Sequence, residues 1–210
     1  MESKKKVTEN RSVRSMAMNL YAFDLDDTLV VTDSCIRTAQ GRLSTADFAK
    51  QRETVTLADD AFVEFSRIRD CRWTPAPCFG RFIQALRENA PIAIVTARGN
   101  EEVDVRAFLE EAAASASAAI HPYVHIYCCN NPEFVQRTGT CTSIEARKQF
   151  ALSHFLAQYP SAQSIEFSDD DLSNLAAIRD FFTQLRHSKP ALSCCLYRVD
   201  GDGSVLKEQL

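Results

Sequence analysis

Five short apolar runs divide the chain: NLYAFD at 19–24, PIAIVT at 91–96, PYVHIYCC at 122–129, SIEFS at 164–168 and SCCLYRV at 193–199. Each is rich in branched and aromatic residues, and continuous rather than alternating apolar character predicts strands buried on both faces. Between them, apolar residues fall at helical spacing: Phe79, Phe82, Ile83 and Leu86; Val103, Val105, Phe108 and Leu109; Phe150, Leu152, Phe155 and Leu156; then Leu175, Ile178, Phe181, Phe182 and Leu185. Strand alternating with helix predicts an α/β fold, a doubly wound parallel sheet of about five strands joined by right-handed crossovers. The alanine-rich AAASASAA at 112–119 ends a helix or forms a surface loop.

One interval breaks this rhythm. From Val30 to Trp73 there is no strong strand signal, but two short helices are expected: one opening at Ser44 with Asp47 three residues on, the other carrying Phe62, Phe65 and Ile68. An interval of this size is long for a connecting loop. It predicts a small helical cap inserted over about residues 30–75, within a domain spanning 19–210.

Composition adds bounds. A chain of 210 residues, 45% hydrophobic and 25% charged, can bury a full core. A net charge of −4 argues against a protein built to coat nucleic acid or an anionic membrane. The exception is the start, where Lys4, Lys5, Lys6, Arg11 and Arg14 make residues 1–18 a disordered basic tail, with a nuclear address as its functional alternative. No apolar run is long enough to span a membrane, so an intracellular, cytoplasmic protein is expected. Eight cysteines occur without any C-x-x-C pair, which reads as free thiols in a reducing compartment rather than zinc ligands.

Chemistry concentrates where the strands end, which is where open parallel sheets bind ligands. The first run closes on Asp24, Leu25, Asp26, Asp27 and Thr28, the second on Thr96, Ala97 and Arg98, and the fourth on Asp169, Asp170 and Asp171. So many carboxylates on one rim are costly unless a cation sits among them. All-oxygen ligands favour a hard ion, Mg2+ before Ca2+ or Mn2+, with open positions for a substrate phosphate. Lys148, in TSIEARKQF, falls in the second turn of a helix opened by a Thr142–Glu145 capping box, placed to reach back over the rim. Arg147 points about 100° away from it. Asp27 reads as a solvated turn residue, Asp171 as a helix N-cap, Arg98 as a surface cation or a phosphate contact, and Trp73 as packing beneath the insertion. The histidines at 121, 125, 154 and 187 read as structural.

These residues resemble a family, the haloacid dehalogenase-like hydrolases, whose members are mostly Mg2+-dependent phosphatases on a Rossmann-like core. Its four motifs have counterparts in order: D-x-D-x-T as Asp24 to Thr28, a threonine after an apolar strand as Thr96, a basic residue as Lys148, and an acidic cluster in FSDDDLSNL. A shuffled chain of this composition would contain D-x-D-x-T roughly 0.07 times. The resemblance implies Asp24 as nucleophile forming an aspartyl-phosphate, Asp26 as general acid and base, and Lys148 as the neutralising cation. Thr96, with Thr28 and Arg98, would serve the substrate side, Thr28 by steadying the loop. Asp24, Asp26 through its main-chain carbonyl, Asp169 and Asp170 would hold Mg2+, with Asp169 preferred to Asp170. The fourth motif departs from the pattern, since Ser173 and Asn174 stand where a further acid is common.

The expected partner is a phosphorylated substrate, a small molecule or a nucleic-acid end, with no membrane. A small cap and arginines at 37, 42, 52, 67, 69 and 72 lean the reading towards a nucleotide or nucleic-acid-end phosphate. Two alternatives stand beside the phosphatase: a phospho-aspartate signalling module, disfavoured because the third run ends in Cys128, Cys129 and Asn130 without an acid, and a non-catalytic binding or scaffold protein.

Overall fold

The computed structural model describes residues 18–52 and 54–210. The chain runs β1 (Asn19–Phe23), β2 (Val30–Thr32), β3 (Cys35–Thr38), β4 (Gly41–Ser44), α1 (Thr45–Gln51), a 3-10 turn (Ile68–Asp70), β5 (Trp73–Pro75), α2 (Phe79–Arg87), β6 (Ile92–Thr96), α3 (Glu102–Ser115), β7 (Val124–Cys128), α4 (Pro132–Thr138), α5 (Ile144–Gln158), β8 (Ser164–Asp169), α6 (Leu172–Ser188), β9 (Ser193–Val199) and β10 (Val205–Gln209). All five apolar runs are strands. They form one sheet in the order β10-β9-β8-β1-β6-β7, parallel except for β10.

The strand order reverses at β1. The chain first winds outward through β6 and β7, then returns to lay β8 on the other side of β1 and continues to β9. One face of the sheet is covered by α2 and α3, where Phe23, Ile94, Phe82, Phe108 and Leu109 share a core. The other is covered by α5 and α6, where Ala22, Val95, Phe167, Leu152, Phe155 and Ile178 pack. Alternate residues of each strand serve opposite cores, which explains why the runs are apolar without interruption. The architecture is a mixed α/β, Rossmann-like sheet, and the β1/β8 reversal opens a crevice at the strands' carboxyl ends. Gly99, just past β6, leaves room there for the β7 loop: a Cβ would meet the Asn130 carbonyl oxygen at 3.2 Å.

Three expectations need correction. The insertion contains strands: β2 pairs with β5 at its base, and β3 with β4 as a hairpin. Its first helix forms as α1, with Ser44 as N-cap, but the second does not, and residues 59–66 are a succession of turns. Isolated helices this short are marginal, and here the Phe65 and Ser66 carbonyls are drawn away by the Arg98 guanidinium and the Asn100 amide. The sheet also has a sixth strand, β10, joined to β9 through the Asp-Gly-rich turn at 200–203. As a half-exposed edge strand it lacks the continuous apolar signal of the others.

All eight cysteines are free thiols. The alanine-rich stretch does end a helix, α3. Among the described residues no helix is long and apolar enough to cross a membrane. The basic segment carrying Lys4 to Arg14 lies outside them.

Candidate active site

Past β1 the backbone stays on the sheet for one more residue, with Asp24 N–H donating to the Ser168 carbonyl (2.8 Å), then folds into a tight turn. Leu29 and Val30 N–H both donate to the Leu25 carbonyl (2.9 and 3.0 Å), and Asp27 N–H to that of Val30 (2.8 Å). Leu25, Leu29 and Val30 are fully buried and anchor the turn in the core. The intervening Asp24, Asp26 and Asp27 face a cavity of about 670 Å3 over the crevice. Asp27 sits at φ 60°, a left-handed conformation that aspartate tolerates better than most residues. It is not simply solvated: its carboxylate accepts from the Thr45 hydroxyl (2.5 Å), tying the turn to α1.

Helix α5 delivers the cation. Its N-cap is Ser143, whose hydroxyl accepts from Ala146 N–H (3.2 Å), rather than Thr142 as the spacing suggested. Lys148 lies in the second turn, buried, and its Nζ donates to Asp24 Oδ1 (2.6 Å) and Asp169 Oδ2 (2.7 Å). Burial opposes the ammonium charge, but Asp169 and Asp24 together push the lysine well above its ordinary range, so it stays charged. Arg147 turns aside and donates to the Cys129 carbonyl (3.1 Å).

Asp169 ends β8 with 0% exposure and is held from three sides. Besides Lys148, the Asp171 N–H donates to its Oδ1 (2.9 Å) and the Asn174 amide to both oxygens (3.2 and 3.1 Å). Asn174 thus occupies the place where a further acid was looked for, and it orients the existing one. Asp171 is the N-cap of α6, accepting from Ser173 N–H (2.7 Å).

Carboxylate oxygens of Asp24, Asp169 and Asp170 come within 4.8 Å of one another. Burial first, then Asp169 and Asp170, raises the Asp24 carboxyl well above the usual range despite the opposing lysine. Burial and Asp169 raise Asp170 to about 7. Three carboxylates around one ammonium leave an excess of negative charge, and beside them the Asn174 Oδ1 is buried without a partner among the described residues. An all-oxygen set of this kind fits a small divalent cation such as Mg2+. Asp170 has lone pairs to spare, because its one side-chain donor among the described residues is the Thr28 hydroxyl at 3.3 Å.

One of the substrate-side residues is placed differently from the expectation. Arg98 has 0% exposure and does not line the cavity. Its guanidinium grips Asp26 through two bonds (Nε to Oδ2, 2.8 Å; Nη2 to Oδ1, 2.7 Å), donates to the Phe65 carbonyl, and stacks 4.2 Å from the Phe65 ring centroid. It positions Asp26 and cannot reach a substrate. Thr28 is fully buried and, as expected, steadies the loop, its hydroxyl donating to Asp170, without lining the cavity. Thr96 stays on the cavity wall, its Oγ1 accepting from Arg98 N–H (3.1 Å) with the hydroxyl proton free to donate inward.

The insertion forms the roof. Thr45, Phe48, Ala49 and Arg52 line the cavity from α1, at i, i+3, i+4 and i+7. That helical stripe was the available signal for Phe48, which sequence reasoning missed. Arg52 bridges to Glu145 (3.1 Å), Ser173 (2.7 Å) and Asp171 (3.3 Å) across the crevice. Trp73 packs on Phe79 and Phe108 away from the site, and none of the four histidines reaches the cavity.

Comparison with protein-family models, curated proteins and solved structures finds no match, so the functional reading rests on this geometry.

Two outcomes follow. Arg98→Met leaves the buried Asp26 carboxylate without its partner and is expected to cost about 3–5 kcal/mol in urea unfolding, much of it recovered when Asp26→Leu is added. The second concerns charge repulsion. The Asp170 carboxyl is raised to about 7 in the folded state against about 3.9 when free, so folding is penalised by it only above about pH 4, and fully above pH 7. Asp170→Asn should therefore raise the melting temperature in EDTA at pH 8 by about 2–4 °C, show little gain at pH 4, and weaken stabilisation by added Mg2+.

Proposed function

We propose that the protein is a Mg2+-dependent phosphomonoester hydrolase acting through an aspartyl-phosphate on Asp24. One observation carries the reading: a buried lysine joins the carboxylates that close two adjacent parallel strands, Asp24 and Asp169, at 2.6 and 2.7 Å, at the floor of a cavity that also receives Asp26 and Thr96. A structural ion pair does not need two further carboxylates and a hydroxyl facing the same space. A phosphoryl-transfer site does.

On this reading an Asp24 oxygen attacks phosphorus, the P–O bond to the alcohol breaks, and the departing oxygen takes a proton from Asp26. The two-point bond to Arg98 fixes where the Asp26 carboxyl points during this transfer. In the second half, Asp26 takes a proton from water as the water oxygen attacks the same phosphorus, releasing inorganic phosphate and restoring the Asp24 carboxylate. Lys148 and the Thr96 hydroxyl meet the charge on the phosphoryl oxygens. Asp24, Asp169 and Asp170, with the Asp26 carbonyl, would hold Mg2+. The ion supplies Lewis-acid neutralisation of the phosphoryl charge and relieves repulsion among the carboxylates. The chain would then be a haloacid dehalogenase-like hydrolase with a small cap.

Release of inorganic phosphate from p-nitrophenyl phosphate, acetyl phosphate, sugar phosphates and nucleotides tests the reading. Turnover with Mg2+ should disappear with EDTA, and Asp24→Asn should lower it by at least about 10^4-fold while staying folded. A folded wild type silent on every substrate would overturn it, as would an Asp24→Asn variant that retains turnover.

A further inference from the structure

The cavity above the carboxylates has two different halves. Its floor is charged: Asp24, Asp26, Asp27, Asp169, Asp170 and Asp171 face Lys148 and Arg52. Its roof and far wall are apolar: Ile36, Phe48, Phe62 and Phe65 from the insertion, with Ile144 from α5. These rings are not core residues that happen to border a void. Helix α1 buries no residue at all, Phe48 is only half-buried, and Phe62 is 45% exposed. Phe48 and Phe62 meet edge to face at 6.0 Å, and Phe62 lies 6.3 Å from Phe65, whose ring the Arg98 guanidinium already contacts. Exposed aromatic surface concentrated over a charged floor favours a ligand that is anionic at one end and flat and apolar at the other.

Charge narrows the ligand further. Six carboxylates outweigh the lysine and the arginine, and one divalent cation does not restore neutrality. Both cations are also committed, Lys148 to Asp24 and Asp169, and Arg52 to Glu145 and Asp171. Of the insertion's other arginines, Arg37 pairs with Asp60, Arg42 with Glu64, Arg69 with Asp104 and Arg72 with Asp33, exposed Arg67 makes no ion pair among the described residues, and none of the five lines the cavity. A polynucleotide end would need a basic track for its following phosphates. A nucleoside di- or triphosphate would need a further cation in the lining, beyond Lys148 and Arg52. The site offers neither, whereas a cavity of about 670 Å3 falls within the range of about 300–1,000 Å3 used for small molecules.

From these observations, and resting on the phosphatase reading, we infer that the substrate is a nucleoside monophosphate, its single phosphoryl group on Asp24 and Lys148 and its base against Phe48 and Phe62. The insertion selects the leaving group by ring stacking, and the acidic floor rejects additional phosphates. This turns the sequence expectation of a nucleotide or nucleic-acid end into a choice between the two.

The test compares kcat/KM for adenosine and uridine monophosphates, ribose 5-phosphate, phosphotyrosine, adenosine diphosphate and a 5′-phosphorylated oligonucleotide, with Mg2+. In parallel, calorimetric titration of Asp24→Asn with the same compounds reads binding without turnover. Nucleoside monophosphates should exceed ribose 5-phosphate by about tenfold in both measurements, mainly through KM, and exceed the diphosphate and the oligonucleotide. Phe62→Ala, at a position 45% exposed, should bring the ratio to ribose 5-phosphate close to one, and Phe48→Leu should lower it. Equal handling of ribose 5-phosphate, a preference for phosphotyrosine, the diphosphate or the oligonucleotide, or a ratio unchanged in both phenylalanine variants overturns the inference. Selective binding with no phosphate released from any substrate would sink the phosphatase reading and leave the selectivity standing. Neither binding nor turnover would sink both.

Discussion

A buried ammonium between two buried carboxylates holds the site together. Lys148 reaches from the helix that precedes β8 to the residues that close β1 and β8, so one side chain ties the crossover helix between β7 and β8 to two adjacent central strands. Burying either charge alone would be costly, and geometry this close is what offsets it. The arrangement leaves one further carboxylate, Asp170, within reach and unneutralised. Stability alone gives no reason to keep that excess charge, whereas a site that receives a cation and a phosphoryl group does.

A second buried cation plays a different part. Arg98 lies just past β6, grips Asp26, donates to the Thr32 hydroxyl and to the Phe65 carbonyl, and lays its flat face on the Phe65 ring in the insertion. The turn carrying Asp24 and Asp26 and the insertion are therefore not independent: the orientation of Asp26 depends on a guanidinium that also fixes the roof. On the opposite side, Arg52 pins α1 to α5 and α6. The insertion spans the crevice with one arginine tie at each end, and its phenylalanines hang between them.

The core was legible because its signals are local. Five strands buried on both faces must be continuously apolar, and the polar residues that end them stand out against that background. Asp24, Asp26, Thr96 and Asp169 could be read from sequence position alone, since a parallel sheet gathers strand ends on one rim, and Lys148 from its place in the second turn of the helix leading into β8. What could not be read was the direction of long side chains. Arg98 looked like a phosphate contact and is entirely buried, and nothing local distinguishes a guanidinium that points at a ligand from one that points at Asp26. The insertion was harder still. Phe62, Phe65 and Ile68 have helical spacing, yet the backbone there follows the tertiary bonds made by Arg98 and Asn100 instead. The stripe Thr45, Phe48, Ala49 and Arg52 was visible as a helix face, but without the fold it had no partner to identify it as the wall of a cavity.

The claim on which the rest depends is that Asp24 becomes covalently phosphorylated. Acid quenching during turnover of a good substrate, followed by peptide mass spectrometry, reads this directly. The account predicts a hydroxylamine-labile phosphoryl group on Asp24, absent from Asp24→Asn and accumulating when Asp26→Asn removes the base that activates water. Steady phosphate release by the wild type with Asp24 unmodified, or with the label on another residue, would contradict it.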